Sequence, residues 1–99
     1  MFFIVGSFRV PPEAMDAARP AMAKMIAASR AEPGCAQYGY AEDVLEPGLF
    51  HVTERWRDRD SLSGHFTAPH LVEWRAEWRR LGFTERQLTL YETDGGEPI

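Results

Sequence analysis

At 99 residues, with 44% hydrophobic and 12% aromatic content, the chain has apolar mass for one globular domain and too much for a disordered one. A formal net charge of −4 argues against general nucleic-acid binding, which needs a positive field. Domains this small bury only about two-thirds of their unfolded surface, so a partner subunit would add stability.

The lone Cys35 excludes an internal disulfide and has no neighbouring zinc ligands, so no metal is expected. The apolar run Phe2-Phe3-Ile4-Val5 follows Met1 without a basic segment, and no signal peptide is expected. No apolar stretch approaches the roughly 20 residues of a membrane span. These features predict a soluble, cytoplasmic protein of a reducing compartment.

The first element is a strand from Phe2 to Val10, apolar on both parities until Arg9, as in a strand covered on both faces. Pro11-Pro12 ends it and opens a helix, because proline is tolerated in a first turn. From Glu13 to about Ala31, Met15, Ala18, Met22, Met25 and Ile26 recur at helical spacing and predict a buried stripe. Pro20 removes a backbone donor inside this segment, which predicts a kink or two abutting helices. Pro33-Gly34 marks a turn, and a strand from Cys35 to about Val44 carries Tyr38 and Tyr40.

After the turn at Glu46-Pro47-Gly48, a strand from Leu49 to Arg57 alternates. Phe50, Val52, Glu54 and Trp56 take one face, and His51, Thr53, Arg55 and Arg57 take the other. Asp58 or Asp60 caps a short helix from Ser61 to about Thr67. Pro69 starts a second helical segment with the inner stripe Leu71, Trp74, Trp78 and Leu81, and Gly82 stops it. Phe83 to Glu92 is the last strand. Residues 1–93 make one domain and Asp94 to Ile99 a polar, mobile tail.

The order β-α-β-β-α-β is the ferredoxin-like α+β arrangement, a four-stranded antiparallel sheet with helices on one face. The other face carries apolar and mixed residues that are costly to leave in water. A sheet-to-sheet homodimer, two sheets curling into a shared barrel, solves that problem.

Several residues carry a closer likeness: Glu32-Pro33-Gly34-Cys35, Tyr38, Glu54-Arg55-Trp56, and the run Leu62-Ser63-Gly64-His65-Phe66-Thr67-Ala68-Pro69-His70. Over nearly its whole length the chain resembles the antibiotic biosynthesis monooxygenase family of dimeric α+β barrel proteins. The resemblance implies a cofactor-independent oxygenase acting on a quinol, phenol or anthrone. There the substrate loses a proton and itself reduces dioxygen, so no metal or flavin is needed. It implies catalytic roles for His65, Trp56 and Tyr38, and substrate contacts from Phe8, Glu54, His70, Trp74 and Met22. An imidazole suits the proton transfer, and Trp56 the stacking of a flat ring or the cavity wall.

Each of these residues also has a plainer reading. His65 and His70 serve as capping or hydrogen-bonding residues, Trp56, Trp74 and Met22 as core, and Tyr38 as sheet packing. Glu54, on an otherwise apolar face, needs a partner or a raised pKa, and an ion pair with an arginine is the expectation. Relatives with the same fold degrade haem or isomerise a sugar phosphate. Phe8 stands where the haem degraders carry asparagine, and Leu71 to Leu81 has no histidine for iron. A phosphate would have to rely on Arg9, Arg55 or Arg86. A non-catalytic dimeric binder of small aromatic or lipid-like molecules is the remaining alternative.

Overall fold

The computed structural model describes residues 1–99. The chain forms β1 (Phe2–Arg9), a 3-10 turn (Pro12–Ala14), α1 (Met15–Arg30), β2 (Cys35–Glu42), β3 (Leu49–Trp56), α2 (Arg59–Phe66), α3 (Pro69–Leu81) and β4 (Thr84–Glu92). The strands make one four-stranded sheet in the order β2-β3-β1-β4, every neighbouring pair antiparallel. This is the ferredoxin-like α+β fold.

Register explains which side chains meet the helices. Phe2 lies opposite Trp56, Ile4 opposite Glu54, Gly6 opposite Val52 and Phe8 opposite Phe50. Successive side chains point to opposite faces, so these even-numbered positions share one face. All of them except Gly6 are buried, against Ala18, Met22 and Met25 of α1, Leu62 of α2, and Leu71, Trp74 and Leu81 of α3. Odd-numbered Phe3, Val5 and Ser7 are only half-buried, so β1 is covered unequally rather than sealed on both faces. Gly6 is required by close approach, since a Cβ there would collide with the Gln87 carbonyl oxygen and with Leu88 of β4.

Pro20 lies inside α1, which runs as one helix and not as two abutting ones. The proline is on the exposed side, where the carbonyl it leaves unpaired can be hydrated. The helix proper begins at Met15, after the 3-10 turn that accommodates Pro12. Asp58 caps α2 by accepting a hydrogen bond from the Ser61 backbone N–H at 2.8 Å. No helix is long and apolar enough to cross a membrane.

Candidate active site

A cavity of about 390 Å³ lies between the sheet and helices α2 and α3. Phe8, Tyr38, Tyr40, Val52, Trp74 and Trp78 form much of its wall, with Glu54 and His65 as the buried ionisable groups. Phe66, Arg75, Arg86 and Leu90, all exposed, mark where it meets the surface. Such a volume is ordinary for a small-molecule pocket.

Glu54 reaches the cavity because strand alternation turns it inward between Val52 and Trp56. It is 4% exposed, and its Oε1 accepts the Trp56 indole N–H at 3.0 Å. Burial disfavours its charged form and pushes its pKa up to about 7, although the indole hydrogen bond pulls the other way. No arginine lies within ion-pair distance, so the expected Arg–Glu54 pair does not form. The partner is His65 instead, whose Nε2 stands 3.9 Å from Glu54 Oε1.

His65 sits in the last turn of α2, 2% exposed. Its ring lies 4.5 Å from the Trp56 ring, centroid to centroid, and 5.5 Å from that of Tyr38. Its Nδ1 is 2.6 Å from Glu32 Oε2, and the same oxygen is 2.7 Å from His70 Nε2. Burial lowers the pKa of His65, outweighing the opposite pull of Glu32.

Glu32 is placed by the turn after α1, where its N–H bonds to the Ser29 carbonyl and its own carbonyl accepts from Cys35. Gly34, at φ +87°, closes that turn, and its carbonyl accepts from Arg57 N–H at 2.8 Å. A side chain at 34 would strike the Ser61 hydroxyl, so only glycine lets the turn sit against α2.

The tyrosines form the third feature. The Tyr38 and Tyr40 hydroxyls are 2.6 Å apart, and burial raises both pKa values. Both phenols therefore remain protonated, one donating to the other and leaving the acceptor's own hydrogen free. Burial likewise raises the Cys35 thiol, which stays in its unreactive form.

A model of the family described as antibiotic biosynthesis monooxygenase matches residues 1–77. The chain belongs to the antibiotic biosynthesis monooxygenase family. A Synechocystis protein of uncharacterised role is 34% identical over 70 residues, or 71% of this chain and 48% of that protein. The match thus spans about half the length of that relative. Rv0793 of Mycobacterium tuberculosis, provisionally named a monooxygenase, is 34% identical over 74 residues, covering 75% of this chain and 72% of that one. Its solved structure superposes with a TM-score of 0.85 at 28% identity, covering 98% of both chains. A Deinococcus radiodurans protein provisionally described as an antibiotic biosynthesis monooxygenase gives 0.92 at 26%, covering 100% of this chain and 98% of that one.

Of the site residues expected in this family member, Phe8, Tyr38, Glu54, His65 and Trp74 line the cavity. Trp56, 0% exposed, is sealed behind Glu54 and His65 rather than on the wall. Met22 is buried in the hydrophobic core and is not on the cavity wall. His70 borders a separate hollow between α1 and α3, with its ring 5.9 Å from that of His65 and its hydrogen bond made to Glu32. The sequence offers Arg86 only as a phosphate contact and gives Tyr40, Trp78, Arg75 and Glu32 no site role. Glu32 belongs to the Glu32-Pro33-Gly34-Cys35 motif, but nothing local pairs it with its two histidines, which lie 33 and 38 residues away.

Glu32, His65 and His70 are also metal-ligand types, with donor atoms within 4.8 Å of one another. Zinc ligands at about 2.0–2.2 Å in tetrahedral geometry stand more than about 3 Å apart. Contacts of 2.6 and 2.7 Å are hydrogen-bond distances, shorter than the separation of two ligands on one zinc. The inner stripe of α3, Leu71, Trp74, Trp78 and Leu81, offers no histidine for haem iron.

Proposed function

We propose that the protein is a cofactor-independent monooxygenase that oxidises a small electron-rich aromatic, of quinol, phenol or anthrone type, with dioxygen. One observation carries the reading: a mainly apolar cavity holds two adjacent buried acid–base groups, Glu54 and His65. Burial raises the pKa of Glu54 to about 7, where a general base works best, and lowers that of His65, which keeps its imidazole unprotonated and able to accept.

In this scheme the ring hydroxyl gives its proton to the Glu54–His65 pair. The resulting anion passes one electron to dioxygen, and the radical pair joins through a carbon–oxygen bond at a ring carbon bearing hydrogen. The site returns the proton to the peroxide. Loss of the C–H proton with cleavage of the O–O bond then leaves a carbonyl and water. Dioxygen thus supplies one product oxygen and one water, and the substrate supplies the electrons.

The remaining wall suits such a ring. Trp74, Phe8 and Tyr40 offer flat faces, and the Tyr38–Tyr40 hydroxyl pair has a proton to donate to a substrate oxygen. Trp78 carries a buried indole N–H without an acceptor. Arg75 and Arg86 line the cavity without a carboxylate partner, and Arg86 lies 5.2 Å over the Trp78 ring. These donors favour an anionic oxygen. Trp56, by holding Glu54, fixes the base instead of stacking on the ring. A second copy of the chain, packed on the face opposite the helices, completes the proposed unit.

Dioxygen uptake with a panel of hydroquinones and anthrones tests the reading. Uptake should rise on adding protein and fall at least about tenfold in His65→Ala. Tight binding with no uptake for any member would overturn it in favour of a non-catalytic small-molecule binder.

A further inference from the structure

We infer that Glu32 and His70 are positioning residues for the base, Glu32 holding His65 in one tautomer and His70 holding Glu32. The inference rests on the proposed role of His65 but is read from a different set of contacts. A single oxygen, Glu32 Oε2, lies 2.6 Å from His65 Nδ1 and 2.7 Å from His70 Nε2. An ionised carboxylate only accepts, so both nitrogens must present their hydrogens to it. In neutral His65 the proton is therefore on Nδ1, and Nε2 carries a free lone pair. That lone pair is on the Glu54 side, at the cavity wall.

The arrangement has a chemical consequence. When a substrate O–H bond breaks and an N–H bond forms at Nε2, the ring becomes an imidazolium. Its new positive charge then lies against the Glu32 carboxylate in a site from which water is largely excluded. This is the division of labour of a carboxylate–histidine pair in nucleophilic catalysis, with the carboxylate orienting and stabilising without itself taking the proton. His70 adds what an isolated pair lacks. By donating to the same oxygen from the first turn of α3, it ties the turn before β2 to the helix that forms the cavity's other wall.

Other charged or titratable groups face the same imidazole. Glu54 comes from β3, Tyr38 from β2, and Arg75 and His70 from α3. Tyr38 stays protonated, and Arg75 and His70 disfavour a second proton on His65, so only Glu32 and Glu54 can favour it. Glu54 lies on the substrate side at 3.9 Å, and Glu32 at 2.6 Å is the closer anion.

Nitrogen-15 NMR of the histidine rings tests this without any substrate. In the parent protein, neutral His65 should show a protonated Nδ1 and an unprotonated Nε2. Glu32→Gln keeps an acceptor oxygen but removes the charge, so the tautomer should persist while the pKa of His65 moves down. Glu32→Ala should lose the tautomer preference, and His70→Ala should broaden or mix it, whereas His70→Gln, which restores a donor at the Nε2 position, should recover it. Where a substrate from the uptake panel turns over, Glu32→Gln should lower kcat at least about tenfold with KM changed less than about threefold. A protonated Nε2 in the parent, or a His65 pKa unmoved in a folded Glu32→Gln variant, would overturn the inference. Failure of the uptake panel alone would overturn only the reaction proposed above, because the ring signals are read in its absence.

Discussion

Glu54 and Trp56 decide the energetics at the residue scale. A carboxylate at 4% exposure, with one indole donor and no cation, destabilises the fold whenever it is charged. Its folded pKa of about 7 lies above the ordinary 4.5, so the native state holds the proton more tightly than the unfolded chain. Stability from this group is therefore complete below about 4.5, falls as pH rises toward 7, and stays low above that. His65 acts oppositely: its folded pKa lies below 6.5, so its contribution is lost as pH falls under that value. Glu54→Gln keeps an acceptor for Trp56 and removes the charge. Denaturant unfolding at pH 5 and pH 8 should show the variant gaining on the parent at the higher pH, by up to about 3 kcal/mol. Equal gains at both values would mean that Glu54 is not held neutral by the fold. Trp56→Phe should cost about 1–3 kcal/mol in the same measurement, since it strands a buried acceptor.

The elements owe their placement to a few capping and turn residues. Asp58 starts α2, the helix that carries His65, and Asp58→Ala should lower stability by about 1 kcal/mol in thermal or denaturant unfolding. The turn before β2 is less forgiving. Gly34→Ala combines a positive φ with a collision against Ser61, so its loss should exceed that of Asp58→Ala. It should also disturb the Glu32–His65 contact, visible as a change in the His65 ring signals. A variant as stable as the parent would show that the turn can relax without α2.

β4 frames the whole-molecule question. It pairs with β1 along its length, yet all its residues except Leu88 are exposed, and Tyr91 is 52% exposed. Phe3, Val5 and Ser7 on the same sheet are only half-buried. A sheet face with this much apolar content is the reason for proposing that a second copy covers it. Sedimentation equilibrium should give about twice the 11.3 kDa chain mass, and Val5→Lys should shift the population toward the single chain. A parent protein that stays a lone subunit at micromolar concentration would remove that proposal.

The sequence by itself determined the element order, the inward face of β3 and the capping of α2, because alternation, helical spacing and turn chemistry are local. Pattern says which face Glu54 and Trp74 take, whereas grouping Tyr38, Glu54, His65 and Trp74 around one chamber came from the family resemblance. Helical spacing already put Met22 in a buried stripe, but the sequence could not say that Trp56 would lie behind Glu54 or that Glu54 would meet an imidazole and not an arginine. Those outcomes depend on how the α1–β2 turn docks against α2 and α3. Only the tertiary structure brings Glu32 to two histidines more than thirty positions away, because a hydrogen bond across that separation leaves no periodicity in the chain.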